Sequence, residues 1–405
     1  MLLAGTVPAD EDRASKGVPH LDHVFVIMME NHSYSQIVNN PNAAFANQLA
    51  KSGNSATNYY AIAHPSLTNY LEVVGGSNFG VLTDNSPDWH NKTCTPNLAG
   101  TIATDHPSSP NVCPIWGDGM DAATPLIDTT NETSPPAVTA VVEIDGKLAI
   151  PAAKTSGKTI ADQLVEQGKS WKSYQENLPA RGADGVNNSD GFFISNAEIT
   201  NAIPGEKQTL INLYAVKHNP FVYFRSVQEG TNPDNSLNNS VGFQGPGGLF
   251  EDLGSGRVPD FSFIAPNQCN DQHGRGNAGP VCDFDPNDNG TQNGLNPALI
   301  YQGDLALRNI VNAIHDSPAW KEGRNAIVVL WDENDYSAVP NLNQVLVIVD
   351  TNYGVRGVQS NRFYTHFSLL KTLEAGLDLP CLNHACDDNV QVMSDLFRKG
   401  DRDER

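Results

Sequence analysis

The chain of 405 residues has no run of about 18 apolar residues, which excludes a membrane-spanning helix. It is also short of positive charge. Twenty-five Lys and Arg stand against 46 Asp and Glu, for a formal net charge of −21. An acidic surface disfavours nucleic acid and anionic membranes as steady partners. Part of that charge could come from carboxylates gathered around a cation. No Cys-x-x-Cys spacing occurs, and no internal repeat is visible. The opening Met1 to Thr6 lacks a charged n-region and a full apolar segment, so it reads as the remnant of a mature N-terminus rather than an export signal. Apolar content is a modest 39%, but it is concentrated in short runs, so a sizeable core is feasible.

The six cysteines fall in near pairs: Cys94 with Cys113, Cys269 with Cys282, and Cys381 with Cys386. Each pair lies in Pro-, Gly- or Asn-rich surroundings. This favours three local disulfides, and hence an oxidising compartment, over metal binding. The implied location is secreted or periplasmic.

Apolar runs alternate between strand and helix character along most of the sequence. Strands are expected at Val24 to Met29, Asn58 to Ala63, Ser170 to Tyr174, Phe261 to Ala265, Ala326 to Trp331 and Val345 to Val349. Helices are expected at Ala43 to Lys51, Leu67 to Val74, Thr159 to Gly168, Leu210 to Lys217, Gln302 to His315 and Phe367 to Ala375. Short, fully apolar strands alternating with helices imply an α/β fold with a mostly parallel sheet covered on both faces. We expect a loose arm over residues 1–20, one domain over 21–395 and a charged tail over 396–405. Residues 84–156, rich in Pro, Asn, Asp, Ser and Thr, read as a long insertion with a hairpin around Ala137 to Pro151.

Five clusters share one position type, the end of a strand or the start of a helix. The run His23-Val-Phe-Val-Ile-Met-Met-Glu30-Asn31-His32-Ser33 ends a buried strand on two oxygen donors, which suit a hard divalent cation or else cap the next helix. In Ala63-His64-Pro65-Ser66-Leu67-Thr68-Asn69, Ser66 opens an apolar helix. There it is an ordinary N-cap or a nucleophile, with Asn69 one turn on able to donate to a phosphoryl oxygen. Pro266 to His273 places Asp271 and His273 just past a strand. Trp331-Asp332-Glu333-Asn334-Asp335 puts three acids within four residues, mutually repelling unless a cation sits among them or the turn is solvated. His366 opens the last apolar helix, as a structural group or an acid/base. A cation cage, a hydroxyl nucleophile and acid/base histidines together make a kit for phosphoryl or sulfuryl transfer.

These segments resemble the bacterial acid phosphatase and phospholipase C phosphoesterases of the alkaline phosphatase superfamily. His23 to Ser33 is similar to the family's opening strand and Glu-Asn-Arg-Ser motif, with His32 in place of Arg. Residues 64–76 resemble its His-Pro-Ser-x-Pro-Asn-Tyr-Leu segment, with Thr68 in place of Pro. Residues 266–273, Ile327 to Asp335 and Tyr364 to Leu379 resemble three further motifs, and Tyr214-Ala-Val-Lys-His218-Asn-Pro-Phe a fourth, Tyr-Ala-x-Lys-His-x-Pro. The resemblance implies an alkaline-phosphatase-like sheet and a divalent metal ion (Ca, Mg, Mn or Zn) held by Glu30, Asn31, Asp332 and Glu333. Ser66 would be the nucleophile and Asn69 a binder of phosphoryl oxygen. His273 and His366 would bind phosphate or protonate the leaving group, with His218 and His64. One metal is expected, although Asp271, His273 and His366 could hold a second. The implied activity is phosphomonoester hydrolysis through a phosphoseryl intermediate. The alternatives are a phospholipase C-type diesterase acting on a phospholipid head group, or a binding protein that keeps the metal without turnover. A strip of exposed aromatics in the insertion would favour lipid, and only Trp89 and Trp116 stand out there.

Overall fold

Val24 to Met29 is apolar at every position because the strand it forms is buried on both faces, with each of these residues fully buried. In the computed structural model the described residues are 17–81, 83–87, 112–117, 155–184, 213–274, 282, 297–335 and 343–398. The strands are β1 (His23–Met29), β2 (Asn54–Ala56), β3 (Tyr59–Tyr60), β4 (Trp171–Gln175), β5 (Ser240–Gly242), β6 (Phe261–Ala265), β7 (Asn325–Trp331), β8 (Val347–Thr351), β9 (Gln359–Ser360) and β10 (Tyr364–Thr365). The helices are α1 (Tyr34–Ile37), α2 (Ala44–Ser52), α3 (Ser66–Gly75), α4 (Ile160–Glu166), α5 (Arg225–Glu229), α6 (Leu249–Ser255), α7 (Pro297–Asp316) and α8 (His366–Gly376).

Eight strands form one sheet in the order β5-β4-β6-β1-β7-β8-β2-β9. β8 pairs antiparallel with both neighbours and every other pairing is parallel. β3 and β10 make a small separate parallel pair. Helices α2, α6 and α7 pack on one another, as do α3, α4 and α8, and every residue of β6, β7 and β8 is buried between such layers. This is the expected α/β architecture. A parallel sheet of this kind gathers its ligands beyond the carboxyl ends of its strands, and β1, β6 and β7 are neighbours at its centre.

Most expected elements form within a few residues of the expected bounds. Two differ for identifiable reasons. The strand expected over Asn58 to Ala63 pairs only at Tyr59–Tyr60, because the amides beyond it are taken elsewhere: Ala61 N–H by the Asn343 carbonyl, and Ile62 and Ala63 N–H by Asn69 Oδ1. The helix expected over Leu210 to Lys217 is absent over its described part. Leu213 to Ala215 are not helical, and a 3-10 turn covers Val216–His218. Leu213, Tyr214, Ala215 and Val216 are all buried, so this described part has no solvated apolar-polar alternation of a surface helix. β2 escaped expectation because Asn-Ser-Ala carries no apolar run. The arm before residue 17, the hairpin at 137–151, Cys94, Trp89 and the tail beyond residue 398 lie outside the described residues. Cys269–Cys282 and Cys381–Cys386 are disulfide-bonded.

Candidate active site

β1 and β7 run side by side in register, Met29 opposite Trp331, so the residues that follow them emerge together. Asp332 N–H donates to the Met29 carbonyl at 3.0 Å. Asn31 adopts a left-handed conformation, φ 59°, and turns its own N–H onto Asp332 Oδ1 at 2.9 Å. Glu30 and Asp332 are fully buried and Glu333 nearly so. Burial, then the charge of Asp332, pushes the Glu30 carboxyl well above the usual carboxylate range. Burial and then Glu333 do the same to Asp332.

The second wall is the start of α3. His64–Pro65 is a cis peptide, Pro65 is the N-cap and Gly76 closes the helix in the left-handed region, φ 71°. Ser66 Oγ lies 3.0 Å from Glu30 Oε2 and 3.3 Å from Glu333 Oε1. Thr68, the neighbouring hydroxyl, instead donates to the Val81 carbonyl at 3.1 Å and is fully buried. Asn69 spends its amide protons on the Ala63 carbonyl at 2.9 Å and on Glu333 Oε2 at 3.0 Å. These bonds tie its side chain to the Glu333 carboxylate and to the loop before Ser66. His64 Nδ1 meets the same Glu333 oxygen at 2.8 Å, and burial takes its pKa down to about 3.

The histidines divide by what their ring nitrogens touch. His218 lies between two carboxylates, Nε2 3.1 Å from Glu30 Oε1 and Nδ1 3.3 Å from Asp271 Oδ2, stacked on Tyr70 at 5.3 Å between centroids. His366 accepts or donates at both nitrogens, to Tyr59 Oη at 2.9 Å and the Asp332 carbonyl at 2.8 Å, and burial lowers it to about 4. Both rings have a neighbour within 3.3 Å at each nitrogen. His273 turns only Nδ1 inward, to the Gly274 carbonyl at 2.9 Å, and its side chain is only partly buried. Burial and then the positive charge of Lys217 bring it to about 4. The contacts of His273 leave its second nitrogen uncommitted to a neighbour.

Two groups escaped the sequence reading. Lys217 Nζ lies 3.3 Å from Ser66 Oγ and 2.9 Å from Asp84 Oδ2, while Asp84 Oδ1 accepts the Leu67 N–H at 2.9 Å. Lys217 had a signal in its position next to His218. Asp84, at the edge of a polar insertion, had none.

The donor set fits a hard cation. Asn31 Oδ1 and Asp332 Oδ2 are buried atoms with no hydrogen-bond partner among the described residues, and three carboxylates converge where burial penalises their charge. Among the described residues, no three His, Cys, Asp or Glu side chains stand in a closed ligand cluster. Glu30 and Glu333 are instead held toward Ser66 and the histidines.

Comparison with known proteins places this geometry in context. The chain is similar to an acid phosphatase of Aspergillus fumigatus, 23% identical over 367 residues, which cover 90% of this chain and 57% of that protein. A probable acid phosphatase of Kluyveromyces lactis is 24% identical over 371 residues, covering 90% and 61%. The chain therefore spans less than two thirds of the length of these two fungal relatives. A phosphatidylinositol-3-phosphatase of Mycobacterium tuberculosis is 24% identical over 388 residues, covering 95% and 85%. Among solved structures, a protein in the alkaline phosphatase superfamily from Vibrio parahaemolyticus matches at a TM-score of 0.47 and 12% identity, over 91% of this chain and 71% of that one. The Phosphoesterase family model matches residues 38–380, most of the sequence, and the chain belongs to that family.

Proposed function

We propose that the protein is a secreted or periplasmic, metal-dependent phosphoesterase that hydrolyses phosphomonoesters through a phosphoseryl intermediate. The observation that carries the reading is Ser66 Oγ at the head of α3, within hydrogen-bond reach of Glu30, Glu333 and Lys217. The relatives bear phosphatase names, which supports hydrolysis of a phosphate ester. Glu30, Asn31, Asp332 and Glu333 are the residues that would hold the divalent cation. Bound there, it would draw charge from a phosphoryl oxygen and depress the Ser66 hydroxyl pKa.

The chain's own residues supply the remaining steps. The Ser66 proton passes to the Glu30 carboxylate as Oγ bonds to phosphorus and the ester oxygen departs, taking a proton from protonated His273. Neutral His273 then accepts a proton from the water that attacks the phosphoserine, and the proton on Glu30 returns to Oγ. His218, His366, His64 and Asn69 hold the carboxylates and the Ser66 loop in place. Preorganised groups facing the developing charge are typically worth about 3 kcal/mol each.

The alternative of a diesterase acting on lipid head groups rests on aromatics of the insertion, of which Trp116 lies among the described residues. Trp116 is exposed, but the Arg225 guanidinium lies 4.1 Å over its ring, so it is not an open aromatic surface.

Rapid quench with a labelled aryl phosphate should trap phosphoserine on the Ser66 peptide. Ser66→Ala should lose at least about a thousandfold in kcat/KM with its metal content unchanged. Residual turnover within about tenfold of the parent, or label elsewhere, overturns the assignment.

A further inference from the structure

Lys217 and Asp84 take no part in the steps above, yet they stand against the reacting atom. One carboxylate ties three things together: the ammonium through Oδ2, the first turn of α3 through Leu67 N–H, and thereby Ser66, whose Oγ Lys217 also reaches. Both side chains are largely buried, Lys217 at 14% exposure and Asp84 at 17%. Burial disfavours the ammonium, but the charges of Asp84 and Glu30 outweigh it and hold the lysine protonated. Lys217 is thus a fixed cation and not a base.

Donors of three neighbouring residues on this side are already engaged. Leu67 N–H is taken by Asp84, Thr68 N–H by the Pro65 carbonyl, and both Asn69 amide protons by Ala63 and Glu333. The helix N-terminus, the obvious anion site in the sequence, has therefore already received a carboxylate.

From this geometry, and resting on the phosphoseryl reading above, we infer that Lys217 contacts a non-bridging oxygen of the phosphoryl group attacked by Ser66, that Asp84 positions it, and that the contact selects monoesters over diesters. A monoester presents three non-bridging oxygens carrying two charges. A diester presents two carrying one, and its third position bears a carbon substituent that an ammonium cannot hold by a charge-assisted bond. An ammonium aimed at that oxygen therefore adds more to the dianion than to the monoanion, in a pocket of low dielectric.

The test compares Lys217→Ala, Lys217→Arg and Asp84→Asn with the parent enzyme on 4-nitrophenyl phosphate and on bis(4-nitrophenyl) phosphate. Competitive inhibition by inorganic phosphate and by dimethyl phosphate is measured alongside. Lys217→Ala should lose about a hundredfold or more in kcat/KM on the monoester and no more than about tenfold on the diester. Inhibition by phosphate should weaken while that by dimethyl phosphate stays within about threefold, and bound metal should be unchanged. Lys217→Arg should recover much of the monoester preference. Asp84→Asn, which keeps the lysine but removes its carboxylate partner, should shift the same ratio by about tenfold. Equal losses on the two esters, or unchanged phosphate inhibition, overturn the assignment. If Lys217→Ala does not fold, Asp84→Asn and Lys217→Arg decide it by the same ratio. Full turnover in Ser66→Ala would instead strike the phosphoseryl reading itself, a result that the ester ratio cannot produce.

Discussion

Two aspartates on neighbouring strands meet burial in opposite ways. Asp350, in β8, is 2% exposed, and the chain satisfies both its oxygens: His315 Nε2 lies 2.7 Å from Oδ2 and Arg356 Nη1 2.9 Å from Oδ1. Asp332, just past β7, is fully buried beside Glu333 and near Glu30. It has one backbone N–H on Oδ1 and no hydrogen-bond partner on Oδ2 among the described residues. Asp350 stands opposite Ile327 in the register, five residues below Asp332 and roughly 16 Å down the strand. The sheet thus carries a finished ion pair toward one end and an unbalanced group of acids at the other. A fold can neutralise a buried carboxylate with its own cations when the need is structural. Leaving the charge unbalanced costs stability, and the arrangement makes sense where something the chain does not encode completes it.

The largest expected effect tests that asymmetry. Asp332→Asn should lower affinity for the divalent cation and kcat/KM together by about a hundredfold or more, with partial rescue by excess cation. In metal-stripped protein the same change should raise stability by about 1–2 kcal/mol at neutral pH, because it removes a carboxyl whose ionisation burial and then Glu333 oppose. Metal analysis and urea melts with and without chelator read both. Full metal occupancy with unchanged kinetics would end the four-residue cage.

How much of this could be read from sequence follows from where the information lies. β1 and β7 were legible because burial on both faces forces an unbroken apolar run, and the acids ending each run marked the place where charge meets core. Ser66 was legible as the first residue of an apolar helix. The roles of the surrounding polar groups were not. In sequence His366 reads as a structural group or an acid/base, and Asn69 as an N-terminal helix residue able to donate to a phosphoryl oxygen; their hydrogen bonds to the Asp332 carbonyl and to Glu333, across 34 and 264 residues of chain, are visible only in the structure. Lys217 and Asp84 meet across 133 residues with no local pattern to announce them. Local periodicity reports burial, whereas partnership between polar side chains is settled by topology.

A smaller effect sharpens the same contrast among the histidines. His315 is paired with its carboxylate, whereas His273 lies near the Lys217 cation, and burial together with that charge lowers it to about 4. The protonated form that would serve the leaving group therefore declines about tenfold for each pH unit above that value. Activity should fall as pH rises, more steeply for an alkyl phosphate than for an aryl phosphate whose oxygen leaves unaided. His273→Asn should cost the alkyl substrate about a hundredfold and the aryl substrate less than tenfold. Lys217→Ala should move the limb to higher pH, since it removes one cause of the depression. Equal losses on the two leaving groups would place the acid elsewhere.

The smallest effect belongs to the finished pair. Asp350→Asn leaves His315 and Arg356 without their carboxylate, but those side chains are 35% and 49% exposed, and water takes up much of the loss. Arg356 also keeps its Nη2 donation to the Thr351 carbonyl. The cost should therefore be about 1–3 kcal/mol rather than the full penalty of breaking a buried pair, read as a lower urea midpoint with unchanged slope. Metal content, kcat and KM should stay within about twofold of the parent, because the change lies at the far end of the strands from Ser66. In metal-stripped protein the two aspartate substitutions should have opposite signs. At this separation, with no shared partner, their effects should add to within about 0.5 kcal/mol. A stabilising Asp350→Asn, or strong coupling between the two, would show that the contrast between a completed and an uncompleted carboxylate is wrong.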